Sequence, residues 1–299
     1  MSVLIVGTTA LDSIKTPTAE NPRLLGGSAS HAAVAASFFA PVKLVGGIGE
    51  DFPAKYLSLY KRHHIDLAGL QTLPGKTFHW SGEYEINMNN RRTLATELGV
   101  IETFSPTLPQ AYQSVPFVLL GNIAPALQHQ VLNQLPRPKF VMADSMDLWL
   151  NIALPDLLKL LKRLDGFVLN DSEAHQLTKT DNVFSAIKKI HALGPRYVIV
   201  KKGSHGSILS GPKGFFICPA YPLSQVVDPT GAGDSFLGGL MGYLASTKGP
   251  IDAHIRRAMV YGSVVASFCC EGFGLNRTTK TRRRDIEKRV KELEKLTRF

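Results

Sequence analysis

The segment Val226-Val227-Asp228-Pro229-Thr230-Gly231-Ala232-Gly233-Asp234-Ser235-Phe236 puts an acid directly behind two glycines and an alanine. Leu237, Leu240 and Met241 follow at helical spacing, so the pattern predicts a strand, a glycine turn and a helix start. Small residues at Gly231, Ala232 and Gly233 let the backbone approach an anion closely, and the first-turn N–H groups of a helix have no intrahelical acceptor. Phosphate is the natural occupant of such a turn. Asp234, in the same first turn, is kept ionised by the helix dipole and can take a proton from a hydroxyl that approaches the phosphate. Read by themselves, these residues would serve equally well as the cap and turn of an ordinary helix.

The elements that must hold this turn are legible as a rhythm. Short apolar runs at Val3–Gly7, Val42–Val45, Phe117–Leu120, Phe140–Ala143, Phe167–Leu169 and Tyr197–Val200 alternate with longer stretches of helical character. Runs without polar alternation are what parallel strands covered on both faces look like, so the expectation is an α/β fold, a doubly wound αβα sandwich. Ligands of such sheets bind beyond the carboxyl ends of the strands, which singles out Asp144, Asn170, Lys202 and Asp228. Phe78, Trp80, Gly82, Tyr84, Ile86 and Met88 break the rhythm by alternating with mostly polar residues up to Asn89-Asn90 and Arg91. That is the pattern of an antiparallel hairpin, read here as a lid over a site, with an edge extension of the main sheet as the other reading. Pro106–Pro109 and Pro136–Pro138 look like connectors between elements, so one core is expected over 1–299, with lid strands inserted at about 8–25 and 76–98.

Composition bounds the function classes. Of 299 residues, 44% are hydrophobic and 19% charged, enough for a large buried core and far from the signature of disorder. The initial apolar run Val3–Val6 is too short for a signal peptide, and no stretch of about eighteen apolar residues appears. The expectation is therefore a cytoplasmic protein with no membrane partner. Three cysteines, two of them adjacent at Cys269 and Cys270, suggest neither a disulfide framework nor metal-ligand spacing. The net charge of +10 is concentrated at the end: from Arg277 to Phe299 there are ten Lys and Arg against four Asp and Glu. Ile286, Val290, Leu293 and Leu296 recur there at helical spacing, which predicts a surface helix docked by one apolar stripe rather than a nucleic-acid module.

With these residues in view, the chain resembles the pfkB family of ribokinase-like carbohydrate and nucleoside kinases. Asp228, Gly231, Ala232, Gly233 and Asp234 match the D-x-x-G-A-G-D core of its C-terminal signature. Gly26-Gly27-Ser28-Ala29 followed by Gly46-Gly47-Ile48-Gly49-Glu50-Asp51 resembles its N-terminal signature. Asn170-Asp171-Ser172-Glu173 resembles its N-x-x-E motif, and Lys202-Gly203-Ser204-His205-Gly206 its nucleotide-binding strand turn. One glycine motif would be weak; four in the right order are specific.

The resemblance implies a ribokinase-like fold and an ATP-dependent kinase with magnesium, acting on a hydroxymethyl group of a sugar or ribonucleoside. It makes Asp234 the base and the Gly231, Ala232 and Gly233 amides the anion hole, with Asn170 and Glu173 placing Mg²⁺ through water. It assigns Lys202, Gly203, Gly206, Asn170, Gly272 and Asn276 to the nucleotide, and Asp12, as an acid just after the first strand, with Gly26, Gly27, Ser28 and His31 to the acceptor. The Glu271–Asn276 loop resembles the family's adenine-side loop, which in several members forms a K⁺ site with the Asp228 loop, here Asp228 and Thr230. Pairing of lids into a homodimer is a further family tendency.

Ribose-specific members carry G-G-K-G-A-N where this chain has Gly26-Gly27-Ser28-Ala29-Ser30-His31, so Ser28 and His31 replace a lysine and an asparagine. That favours a nucleoside or another sugar over ribose. His31 could meet substrate hydroxyls or be a satisfied helix histidine; Phe78, Trp80 and Tyr84 could stack on a ligand or pack on the core. A sugar- or nucleotide-sensing relative without turnover is the alternative function, and it would be favoured by loss of Asp234, Asn170 or Glu173, all of which are present.

Overall fold

The computed structural model describes residues 1–86, 88 and 91–298. Its strands are β1 (Val3–Val6), β2 (Ala10–Thr16), β3 (Ala19–Gly26), β4 (Val42–Gly49), β5 (Ile65–Leu73), β6 (His79–Tyr84), β7 (Arg91–Glu97), β8 (Phe117–Leu120), β9 (Phe140–Asp144), β10 (Gly166–Asn170), β11 (Tyr197–Lys201), β12 (Ser207–Gly211) and β13 (Gly214–Cys218). Nine form the main sheet in the order β13-β12-β11-β10-β9-β8-β1-β4-β5. Pairing is parallel from β5 to β11 and antiparallel for β12 and β13. The expected runs are all strands of this sheet, and β1, fully buried along its length, shows why they read as apolar. Val3 and Ile5 face one core with the helices Ser28–Ser37, Ala232–Ser246 and Ile251–Cys269; Leu4 and Val6 face a second core on the opposite side.

The chain runs outward from β1 in both directions, so the carboxyl ends of β1 and its neighbours surround the point where the strand order reverses. Two helices start there and pack at very short range. A Cβ on Gly238 would lie 2.7 Å from Ala32 Cα, and one on Gly242 2.7 Å from Ala36 O, so glycine one turn apart on the later helix lets the alanine face of the earlier one touch its backbone. This contact brings the Gly26-Gly27 turn beside the Gly231–Gly233 turn.

The hairpin is present: β6 and β7 are antiparallel, and with β2 and β3 they make a four-stranded sheet in the order β3-β2-β6-β7, with β2 parallel to β6. The turn expected at Asn89-Asn90 lies outside the described residues. Tyr84, 6% exposed, accepts a 3.0 Å bond from Thr230 Oγ1 and ties this lid to the Asp228 turn. Trp80 instead spends its ring on Gly82 of its own strand and its Nε1 donates to Thr93.

Three expectations need correction. Val226 and Val227 form no strand; the run finds its acceptor at the end of a helix, where Val227 N donates to Cys270 O at 2.8 Å, instead of in a sheet ladder. Asp12 does not follow the first strand but lies inside β2, paired with Leu24 and Trp80. In the terminal helix Arg283–Leu296, Ile286, Val290 and Leu293 dock on Tyr261, Val264, Val265 and Phe268, but Leu296 is 65% exposed because the helix ends there.

Candidate active site

Gly231 caps the Ala232–Ser246 helix in the left-handed conformation, φ 75°, and Asp234 stands in the first turn. A Cβ at Gly231 would strike the ring of His31, so glycine is required both by the backbone angle and by the space. Of the three expected anion-hole amides, that of Ala232 donates to Pro229 O at 3.1 Å, which leaves those of Gly231 and Gly233. Asp228 is fully buried behind the turn. Its Oδ1 accepts from Thr230 N and its Oδ2 from Gly274 N, both at 2.9 Å, so this carboxylate joins the glycine turn to the Glu271–Asn276 loop. Burial holds its pKa above the usual carboxylate range, and no Lys or Arg is among the groups acting on it.

Ala232 and Gly233 open onto a cavity of about 810 Å³, in the size range of small-molecule sites. Gly203 and Gly206, both at positive φ, line it as expected for a strand turn that lets a ligand approach the backbone. Lys202 does not; its amide closes the turn on Gly206 O, and it is Lys201, the last residue of β11, that reaches the cavity. Gly272 and Asn276 also stand outside the lining. The lining also includes Tyr221, Phe236, Ser263, Ala266, Ser267 and Cys270, mostly from two helices whose apolar spacing in the sequence reads only as core.

Asn170 and Glu173 form a reciprocal capping box on the helix Asp171–Thr178: Asn170 Oδ1 accepts from Glu173 N at 2.8 Å and Glu173 Oε2 from Asn170 N at 2.7 Å. Glu173 is 8% exposed, and burial, with Asp144 adding to it and Lys201 opposing, pushes its pKa up to about 7. Lys201 Nζ donates to Asp144 Oδ2 at 2.9 Å. Burial disfavours its charge, but Asp144, Glu173 and Asp234 outweigh that and raise its pKa.

On the other side, Gly27 starts the Ser28–Ser37 helix at φ 89°, and a Cβ there would meet the Thr8 carbonyl. The Asp12 carboxyl lies across Gly26, where any side chain would collide with it. One expected acceptor contact is already used. Ser28 N donates to Thr8 Oγ1 at 3.0 Å and Ser28 Oγ accepts from Thr8 N at 3.1 Å, a latch between the β1–β2 connection and the helix. His31 is 1% exposed and lies beneath Gly231, its Nδ1 3.7 Å from Cys269 Sγ and its Nε2 without a partner. Burial lowers its pKa to about 4, so the ring is neutral where it lies beneath the turn.

A parallel α/β sheet with a strand lid, a glycine turn aimed at an anion and an acid in the following helix is the arrangement of a phosphotransferase. The pfkB family of carbohydrate kinases matches residues 12–282, and the chain belongs to that family. It is an ATP-dependent kinase of a sugar or nucleoside hydroxyl. A cytidine kinase of Thermococcus kodakarensis is 30% identical over 264 residues, covering 86% of this chain and 92% of that protein. The fold is shared with a nucleoside kinase of Methanocaldococcus jannaschii (20% identity, TM-score 0.79, 97% of this chain and 98% of that one). It is shared as well with an Arabidopsis thaliana ribokinase bound to ribose and ATP (21% identity, TM-score 0.76, 97% and 98%). Among the described residues no helix is long and apolar enough to cross a membrane.

Proposed function

We propose that this chain transfers the γ-phosphate of ATP to the 5′-hydroxymethyl group of a ribonucleoside. The observation that carries the transfer is Asp234 in the first turn behind the left-handed Gly231, on the helix start whose Ala232 and Gly233 line the 810 Å³ cavity. Asp234 takes the proton of the hydroxyl; the Gly231 and Gly233 amides and the helix dipole hold the phosphoryl charge. A triphosphate fits the walls, where Gly203, Gly206 and Gly233 admit it to the backbone. Magnesium, when bound, would neutralise phosphate charge, with Asn170 and Glu173 placing it through water. Asp12, beside Gly26, is assigned to the acceptor's ribose hydroxyls. The buried Asp228 carboxylate, lacking a cationic side chain, supports K⁺ between its loop and that of Gly274.

The nucleoside is favoured over ribose because Ser28 is closed onto Thr8 and His31 is a buried, neutral ring beneath Gly231, and because the cytidine kinase aligns over nearly its whole length. The test is an ADP-release assay with Mg-ATP and KCl over cytidine, uridine, adenosine, inosine, ribose, fructose and 2-keto-3-deoxygluconate. A nucleoside, with cytidine tried first, is expected to give the highest kcat/KM. A sugar that outruns every nucleoside would replace this acceptor, and silence of the whole panel despite ATP binding would favour a sensor.

A further inference from the structure

We propose that Lys201 is a catalytic residue of this kinase, whose ammonium moves from Asp144 onto the transferring γ-phosphoryl group. The inference rests on the kinase reading above and adds to it a residue that the family's motifs, as matched here, do not include.

Three observations converge. Lys201 ends β11 at the ligand-binding edge of the sheet, with its Nζ 3.0 Å from the place a Cβ on Gly233 would occupy. The ammonium therefore lies against the first turn that holds the anion hole, where a side chain at Gly233 would crowd it. Among the described residues lining the cavity, Lys201 is the one Lys or Arg. It is also surrounded by carboxylates, since Asp144, Glu173 and Asp234 all act on it.

A cation beside a helix N-terminus meets the positive end of the dipole, so Lys201 owes its charge to the carboxylates around it. A triphosphate entering this cavity, in turn, would face the three carboxylates with Lys201 as the protein's own counter-charge there. The Asp144 bond holds the ammonium 3.0 Å from the place a Gly233 Cβ would occupy until the phosphate arrives, and the Lys201 side chain is 21% exposed. In the transfer step the acceptor hydroxyl gives its proton to Asp234 and its oxygen forms the new bond to phosphorus. The bond from phosphorus to the bridging oxygen breaks, and ADP leaves with that electron pair. Lys201 keeps its protons throughout and donates them as hydrogen bonds to the equatorial oxygens, where charge is spread in the transition state.

The test uses the full chain as Lys201→Met, Lys201→Arg and the double variant Lys201→Met with Asp144→Asn. The double variant removes both charges, so it leaves no unpaired buried carboxylate at Asp144 and remains the test if Lys201→Met alone does not fold. Turnover at saturating ATP is expected to fall about a hundredfold or more in both methionine variants, with partial recovery in Lys201→Arg. Calorimetric affinities for Mg-ATP and Mg-ADP are measured alongside. The ratio of ATP to ADP affinity should drop about tenfold while ADP binding is held within about threefold, because only ATP carries the group that Lys201 meets. Turnover of the double variant within a few-fold of wild type, or an equal loss of ATP and ADP affinity, would make Lys201 a structural partner of Asp144 and overturn the proposal. If the wild type phosphorylates none of the acceptors, the acceptor reading has failed, and the affinity ratio, which needs no acceptor, still decides the role of Lys201.

Discussion

Two helices of this protein begin in nearly the same way and end up with different duties. Ser28–Ser37 and Ala232–Ser246 each follow a glycine at positive φ, neither has a side-chain cap, and the two pack backbone to backbone. At the first, every residue from Ser28 to Ala36 is buried, there is no acid in the first turn, and Ser28 is closed onto Thr8. At the second, Ala232 and Gly233 face a cavity and Asp234 sits half-exposed beside them. A helix start on a glycine at positive φ is thus common ground, but the first spends its Ser28 and Ala29 amides on Thr8 Oγ1 and Thr8 O. What sets the second apart is an open side and an acid, Asp234, in its first turn.

The strongest way to break this contrast is to remove the ionised group alone. Asp234→Asn keeps the turn, the cavity and the amides, so ATP binding should persist within about threefold in calorimetry. Turnover should fall by about 10²- to 10⁴-fold, the usual weight of a positioned base. Near-normal turnover would leave the second helix start as inert as the first. A smaller effect should follow from Gly231→Ala, which combines the cost of a left-handed alanine, about 1–2 kcal/mol, with a collision against the His31 ring. Chemical denaturation should register a loss of about 2–4 kcal/mol. Pairing it with His31→Ala should return the collision part and not the backbone part, which separates the two causes.

How far the sequence spoke for itself follows the same divide. Continuous apolar runs identified the parallel strands because burial on both faces leaves no polar positions, and the hairpin was legible from period-two alternation before its pairing with β2 was known. The glycine turn and Asp234 were legible because few backbones need small residues and an acid in that order. Contacts made across long separations were not. Nothing near Ser28 in the chain points to Thr8, 20 residues earlier, and His31 reads as a polar helix residue until its helix is placed under Gly231, 200 residues later. Lys201 carried one usable signal, an ionisable residue ending an otherwise apolar strand. Lys202 drew the attention instead because it adjoins the glycines, yet it lies past the end of the strand, where its amide closes the turn on Gly206 O. The helical part of the cavity wall was silent, since Phe236, Ser263, Ala266 and Ser267 lie on helices whose small and apolar residues are also what close packing requires.

The finest test of the contrast is whether the first helix start is truly shut. His31 has its pKa lowered to about 4 by burial, from an ordinary value near 6.5, and no carboxylate acts on it to offset this. Between those values the unfolded chain binds a proton that the folded chain refuses, so the stabilisation is complete above about pH 6.5 and is lost as the pH falls towards 4. At pH 5.5 the unfolded histidine is about one pKa unit into its titration, which corresponds to about 1.4 kcal/mol. Urea unfolding of the wild type at pH 8 and pH 5.5 should therefore show a difference larger by that amount than in His31→Gln, whose side chain does not titrate in this range. The comparison of differences cancels whatever the glutamine costs at both pH values and whatever other groups contribute equally to the two proteins. An unchanged difference would mean that the ring takes up its proton in the folded protein. His31 would then be reached by water or a counter-ion, and the wall between the Gly27 turn and the Gly231 turn would be open enough for His31 to meet a ligand after all.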